Sequence, residues 1–366
     1  MSSLRLLPLA AIACLCIQCK SKDARLEAAG TGPLAEASVP DDWARFLAGL
    51  PGGRSSRFAA ARQTPAWRQH QAEMDRMFAP FTTSRHGVIG GWQGGALGGL
   101  GSGPVFYPFG GPDVLYADAL FPGAADFVLV GLETASGLPA PETVTGGDLA
   151  GHLANLRASL RSVTGIGFFI TKDMRAGLNA TSLQGALPPI LVILARTGHR
   201  VQSVELVSLG PDGALLPRGA GSAPGIRIRV DGGGKEFRYF QENLGNENLA
   251  GNPRLLRHLS RGGRPVTLLK SASYLLHQER FSFLRGAILD LSRAVVTDPS
   301  GMPFAAVAGP GWDVTLYGSY DGPIPMFQEH PQPDLAEAYR SGGYPVKPLP
   351  FGVGYTGKSL LVARKR

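Results

Sequence analysis

Cysteine is missing from almost the whole chain: Cys14, Cys16 and Cys19 lie in one apolar N-terminal stretch, and the 347 residues after them contain none. Disulfides and thiolate chemistry are therefore excluded from the body of the protein, whose stability must come from burial. Histidine is scarce as well, seven residues with no H-x-x-x-H or H-E-x-x-H spacing, so no metal motif is present and no metal or cofactor is expected. No apolar run reaches the ~20 residues needed to span a bilayer. Charged residues make up only 17% of the chain against 44% hydrophobic, a composition that buries a core rather than staying disordered.

What is present first is an address. Arg5 supplies a positive n-region, Leu6 to Ala13 an apolar h-region, and Ala11-Ile12-Ala13 a small-residue cleavage site directly before Cys14. That arrangement resembles the lipobox of bacterial lipoproteins, with Cys14 acylated. Cys19 is the alternative, although Gln18 is bulky where a small residue is wanted, and ordinary secretion is a third reading. Residues 1 to 19 are thus read as a lipoprotein-type signal region. Residues 20 to 40, rich in Ala, Gly, Ser and Pro, are read as a flexible tether to a membrane. The expected location is the cell envelope, on the periplasmic side or at the outer membrane.

The net charge is +8, and removing Arg5 with the leader leaves 35 basic against 28 acidic residues. In an exported protein this excess points to anionic lipid head groups or acidic polysaccharide rather than nucleic acid, with solubility the plainer explanation.

Residues 41 to 366 read as a single large α+β domain with a mostly antiparallel or mixed sheet and flanking helices. A helix opens at Asp41-Asp42-Trp43, and Thr64-Pro65 carries the cap signature of another that runs to Met77. Gly87 to Gly103, with nine glycines in seventeen residues, is predicted as a mobile loop. Strands are expected at Phe127 to Leu132, Gly165 to Ile170, Val201 to Leu209, Gly225 to Val230, Glu236 to Phe240, Trp312 to Tyr320 and Ser359 to Arg364. Helices are expected at Asp148 to Ser162, Ser182 to Arg196, Pro253 to Leu259, Ser271 to Val295 and Pro333 to Arg340. In the second of these Pro188-Pro189 should introduce a kink.

A four-residue loop at Asp231 to Gly234 would set Val230 opposite Lys235, Ile228 opposite Phe237 and Ile226 opposite Tyr239. Arg227 then faces Arg238 across the polar side. This like-charged pair is a candidate anion-binding position.

Gly352 to Ser359 fits G-x-x-x-x-G-K-[ST], but the P-loop needs a strand before it and a helix after it. Pro348 and Pro350 precede it and an apolar strand-like run follows, so no nucleotide is expected. Catalytic candidates are Asp113, Glu133, Asp298 and Asp321, each near Gly or Pro at an element end. Two converging carboxylates could divide acid and base roles. Lys270, Ser271, Ser273 and His277 form a second cluster, in which Ser273 and His277 share a face if the segment is α-helical.

The segment Tyr107 to Ala117 (YPFGGPDVLYA), with Phe121-Pro122 and Gly131-Leu132-Glu133, resembles the opening of an uncharacterised group of bacterial exported or lipid-anchored proteins. Lys270 to His277 (KSASYLLH), Asp298 to Pro303 and Trp312 to Phe327 resemble its later segments. The resemblance spans about residues 104 to 363, implies one folded unit and export, and carries no activity. The reading is therefore a lipid-anchored binding or structural module for anionic envelope components, favoured over an enzyme. The alternative is an exported hydrolase using the acidic residues or the Ser273/His277 pair.

Overall fold

Eleven strands form one mixed sheet in the computed structural model, which describes residues 39–165, 182–323, 328–354 and 357–366. In chain order they are β1 (Val105–Tyr107), β2 (Asp126–Gly131), β3 (Val201–Leu209), β4 (Leu215–Pro217), β5 (Ser222–Val230), β6 (Lys235–Gln241), β7 (Val266–Leu269), β8 (Ala294–Thr297), β9 (Trp312–Gly318), β10 (Val346–Lys347) and β11 (Ser359–Lys365). Their order across the sheet is β10-β9-β11-β8-β7-β1-β2-β6-β5-β3-β4. The five central strands, β8-β7-β1-β2-β6, run parallel. Antiparallel pairs extend them on both sides, β11 against β8 and β5 against β6. The architecture is the expected α+β class with a mixed sheet.

Strand alternation divides the apolar side chains between two layers. Val105, Tyr107, Phe127, Leu129, Val266, Leu268 and Val296 face a core shared with the helices Val39–Leu47, Pro65–Pro80, Val114–Leu120, Leu149–Gly165 and Leu187–Arg196. Phe106, Val128, Val130, Leu269, Val295 and Leu361 face the other core, packed by Arg254–Arg261, Ser282–Leu291 and Pro333–Ser341. The central strands are covered on both faces, as parallel sheets require.

Local chemistry explains several boundaries. Thr64 caps the helix Pro65–Pro80 by accepting from Trp67 N–H at 3.3 Å. Pro188 and Pro189 sit in the first turn of Leu187–Arg196, where a missing N–H costs nothing, so they start this helix rather than kink it. The hairpin register is the expected one: Ile226 pairs Tyr239, Arg227 pairs Arg238, Ile228 pairs Phe237 and Val230 pairs Lys235. The four apolar members of the Ile226/Tyr239 and Ile228/Phe237 pairs are buried together.

Three further expectations fail. Most of the predicted Gly-rich loop is the helix His86–Ala96, anchored by buried Ile89 and Ala96 while its glycines face open space. The long helix predicted from Ser271 to Val295 is instead a 3₁₀ segment (Ser271–His277), a short α-helix (Ser282–Leu291) and strand β8. Gly165 ends the helix Leu149–Gly165 instead of opening a strand, and the rest of that predicted strand, to Ile170, lies outside the described residues. The leader and tether also lie outside them, Cys14 and Cys19 included.

Candidate functional site

The chain leaves β1 toward β2 on one side and leaves β7 toward β8 on the other. The connecting helices lie on opposite faces of the sheet, Val114–Leu120 in one layer and Ser282–Leu291 in the other. Neighbouring parallel strands whose connections diverge in this way leave a crevice beyond their carboxyl ends, the usual ligand position in open parallel sheets. A cavity of about 420 Å³ opens there, walled by the loops that follow β1, β2, β6 and β7.

The loop after β1 contributes Phe109, Gly110, Gly111, Pro112 and Asp113. Its backbone is bent by positive φ at Phe109 (59°) and Gly111 (55°) and tied down where Gly111 N–H donates to Val130 O at 3.0 Å. Gly131, at the end of β2, permits the close approach. A Cβ there would lie 2.8 Å from Gly111 Cα and would collide with the Glu133 carboxylate.

Polar groups occupy two ends of the crevice. At one end Lys270 Nζ contacts Asp113 Oδ2 at 2.5 Å, and Tyr107 O–H donates to the same oxygen at 3.1 Å. Lys270 also lies 4.2 Å over the Tyr116 ring, a cation–π contact that partly replaces lost water. At the other end the Tyr239 hydroxyl is 2.7 Å from Glu133 O and 3.1 Å from Glu133 Oε2. Glu242 accepts from Asn248, and burial raises its carboxyl above the ordinary range. Phe109 packs edge-on against Phe281 at 5.5 Å, and Leu132, Leu244 and Leu275 complete an apolar wall.

Ser271 follows β7 by one residue and has φ of 58°. Its N–H donates to Asp298 Oδ2 at 3.0 Å, and its carbonyl accepts from Ser300 Oγ at 3.4 Å. Asp298 in turn accepts from Ser300 N–H at 2.9 Å and is fully buried. Burial raises its pKa, opposed by these hydrogen bonds and by Lys270. Asp298 is thus a brace behind the crevice rather than part of its lining.

Of the residues the sequence nominated, Asp113 and Glu133 both line the cavity, and Asp298 stands behind it. Asp321 is exposed and outside it. Ser273 and His277 are not paired, which corrects the α-helical premise. Their segment is 3₁₀, where residues four apart are turned away from each other. The Ser273 hydroxyl bonds to the Lys270 main chain at both N–H (3.1 Å) and O (3.4 Å), while the His277 ring stacks on His330 at 5.1 Å. Burial first, then the His330 charge, brings the His277 pKa down to about 4.

The arginine pair has carboxylate partners within the chain. Arg227 binds Glu236 at 2.7 Å and Glu205 at 3.6 Å, and Arg238 binds Asp126 and Glu236. Both guanidinium groups therefore already face carboxylates. Gly352 to Ser359 leads into β11, not a helix, and Gly354 (φ 65°) lets the chain pass against the Asp298 carboxylate.

Sequence reasoning assigned no binding or catalytic role to Tyr107, Tyr239 or Glu242, and it grouped Lys270 and Ser271 with Ser273 and His277 without giving either a role of its own. Their usable signal was apolar Val266 to Leu269 followed by Lys270-Ser271, which reads as a strand meeting a polar turn. The segments beginning at Tyr107 and Lys270 line this crevice, and the one beginning at Asp298 stands behind it. Compared with protein-family models and with curated proteins, the chain matches none.

Proposed function

We propose that the protein is an envelope-anchored binding module whose ligand is a small molecule bearing hydroxyl or amine donors on an apolar frame. The observation that carries this reading is the presence of three buried polar atoms without hydrogen-bond partners among the described residues, all in the wall of one cavity: Asp113 Oδ1, Glu242 Oε2 and Ser271 Oγ. Buried polar atoms left unbonded are costly, and carboxylate oxygens can only accept, so the group that satisfies them must donate. A cavity of about 420 Å³ lies within the range of small-molecule pockets.

The same chemistry favours a neutral or cationic ligand over an anionic one. Lys270 is paired with Asp113, and Arg280, at the rim, with Glu247 at 2.6 Å. The N-terminal lipobox supports attachment through lipid at Cys14. Among the described residues no helix is long and apolar enough to cross a membrane.

Two probes of equal chain length test the reading by calorimetric titration below their micellar concentrations: octyl β-glucoside, a neutral donor, and octyl sulfate, an anion. The glucoside is expected to bind, and Glu242→Gln, which swaps an acceptor for a donor, to weaken it about tenfold. Tighter binding of the sulfate, or glucoside affinity unmoved by Glu242→Gln, contradicts the proposal.

A further inference from the structure

We infer that Ser271 is a nucleophile and that the crevice cleaves a carboxylic ester of the ligand it binds, an inference that rests on the binding reading above. Ser271 stands on a sharp turn between a parallel strand, β7, and the 3₁₀ segment that follows. Its φ of 58° is left-handed, a strained conformation for a serine. The turn is held from both sides, by Asp298 on its N–H and Ser300 on its carbonyl. A strained strand-to-helix turn that presents a serine at the top of a parallel sheet is a recurring way to display a nucleophilic hydroxyl.

The hydroxyl itself is the second observation. Ser271 is 3% exposed, lines the cavity, and its Oγ has no hydrogen-bond partner among the described residues. Serine hydroxyls at such depth normally bond to a nearby carbonyl, as Ser273 does here.

Strand spacing selects the proton acceptor. Glu242 follows β6, three strand intervals from β7 and so about 14 Å across the sheet. Asp113 follows β1, the immediate neighbour of β7. Its Oδ2 is fixed by Lys270 and Tyr107, which leaves Oδ1 unbonded.

The step balances without a further reagent. Ser271 Oγ forms a bond to the ester carbonyl carbon as its proton passes to Asp113 Oδ1. The bond from that carbon to the alcohol oxygen breaks, and the departing alkoxide takes the proton from Asp113. Water then adds to the acyl carbon, giving one proton through Asp113 back to Oγ and releasing a carboxylic acid.

The test is phosphonylation of the full chain by an alkyl fluorophosphonate, read by intact mass and peptide mapping, with p-nitrophenyl hexanoate as an ester probe. One label on Ser271 is expected, absent in Ser271→Ala, with ester turnover lost in the same variant. Asp113→Asn should slow labelling at least about tenfold. Should that variant fail to fold, Asp113→Asn with Lys270→Met removes both charges and is the comparison to use. Saturating octyl β-glucoside should slow labelling of the wild type.

Labelling at another residue, or turnover that survives Ser271→Ala, overturns the inference. Octyl β-glucoside binding without any labelling overturns it while the binding reading stands. Labelling of Ser271 without glucoside binding has the opposite consequence, removing the ligand class and keeping the nucleophile.

Discussion

Lys270 Nζ lies 2.5 Å from Asp113 Oδ2 with the two side chains 1% and 2% exposed, so one buried ion pair joins the loop after β7 to the loop after β1. Two ions out of water are stabilised only by each other and by neighbours such as Tyr107 and Tyr116.

Breaking this pair from one side should be severe. Lys270→Met leaves an uncompensated carboxylate and is expected to cost about 3–5 kcal/mol in urea denaturation. Lys270→Met with Asp113→Asn should cost markedly less than Lys270→Met alone. A double variant as unstable as the single one would show that the pair's position, and not its charge, holds the loops.

Acid should weaken the fold through His70. Its Nε2 bonds to Leu47 O at 2.8 Å, and Arg157 Nη1 lies 3.0 Å from Nδ1. The ring therefore accepts from the guanidinium, and burial first, then nearby arginines, brings its pKa down to about 4. A histidine whose folded pKa lies below its unfolded value of about 6.5 contributes stability that is present above pH ~6.5 and lost as pH falls toward 4. The shift corresponds to about 3 kcal/mol. His199 acts oppositely. Burial would lower its pKa, but hydrogen bonds to Asp118 and Asp231 outweigh that and raise it, so its contribution is present below pH ~6.5 and lost as pH rises through the folded value. The stability difference between the wild type and His70→Gln isolates the first effect, and should shrink by about 3 kcal/mol from pH 7 to pH 4.

Ser271→Gly should stabilise the protein. It removes the left-handed strain and the unbonded hydroxyl, against a smaller entropy cost for glycine, for a net gain of about 1 kcal/mol. A thermal transition that falls in this variant would show that the hydroxyl supports the fold.

Cys14→Ala should abolish acylation and move the protein into the soluble periplasmic fraction, since lipid is the attachment proposed. Unchanged metabolic lipid labelling would transfer the role to Cys19 or remove it.

The sequence revealed the periphery of the fold better than its centre. β3, β9 and β11, and the β5/β6 hairpin, have enough length or alternation to be read directly, and the cap at Thr64 announced its helix. β1, β7 and β8 run three or four residues and are buried on both faces, so they show neither length nor alternation. Those strands build the crevice, which is why Asp113 and Glu133 were visible only as carboxylates near turns. Ser271 was visible only as a member of the Lys270 to His277 cluster, because its φ depends on Asp298 and Ser300, 27 and 29 residues away. The Gly-rich helix misled for the opposite reason: tertiary burial of Ile89 and Ala96 overrode a composition that favours a loop.

The central claim is that the crevice beyond β1, β2, β6 and β7 is the ligand site, and the absence of cysteine after residue 19 allows a direct test. Leu132 is 52% exposed at the mouth of the cavity, so Leu132→Cys, in protein lacking residues 1–19, gives a single thiol there for N-ethylmaleimide. The affinity for octyl β-glucoside is then measured before and after labelling. The account predicts a loss of at least about tenfold on labelling, roughly 1.4 kcal/mol, with the thermal transition unmoved. An affinity that stays the same would place the ligand elsewhere and contradict it.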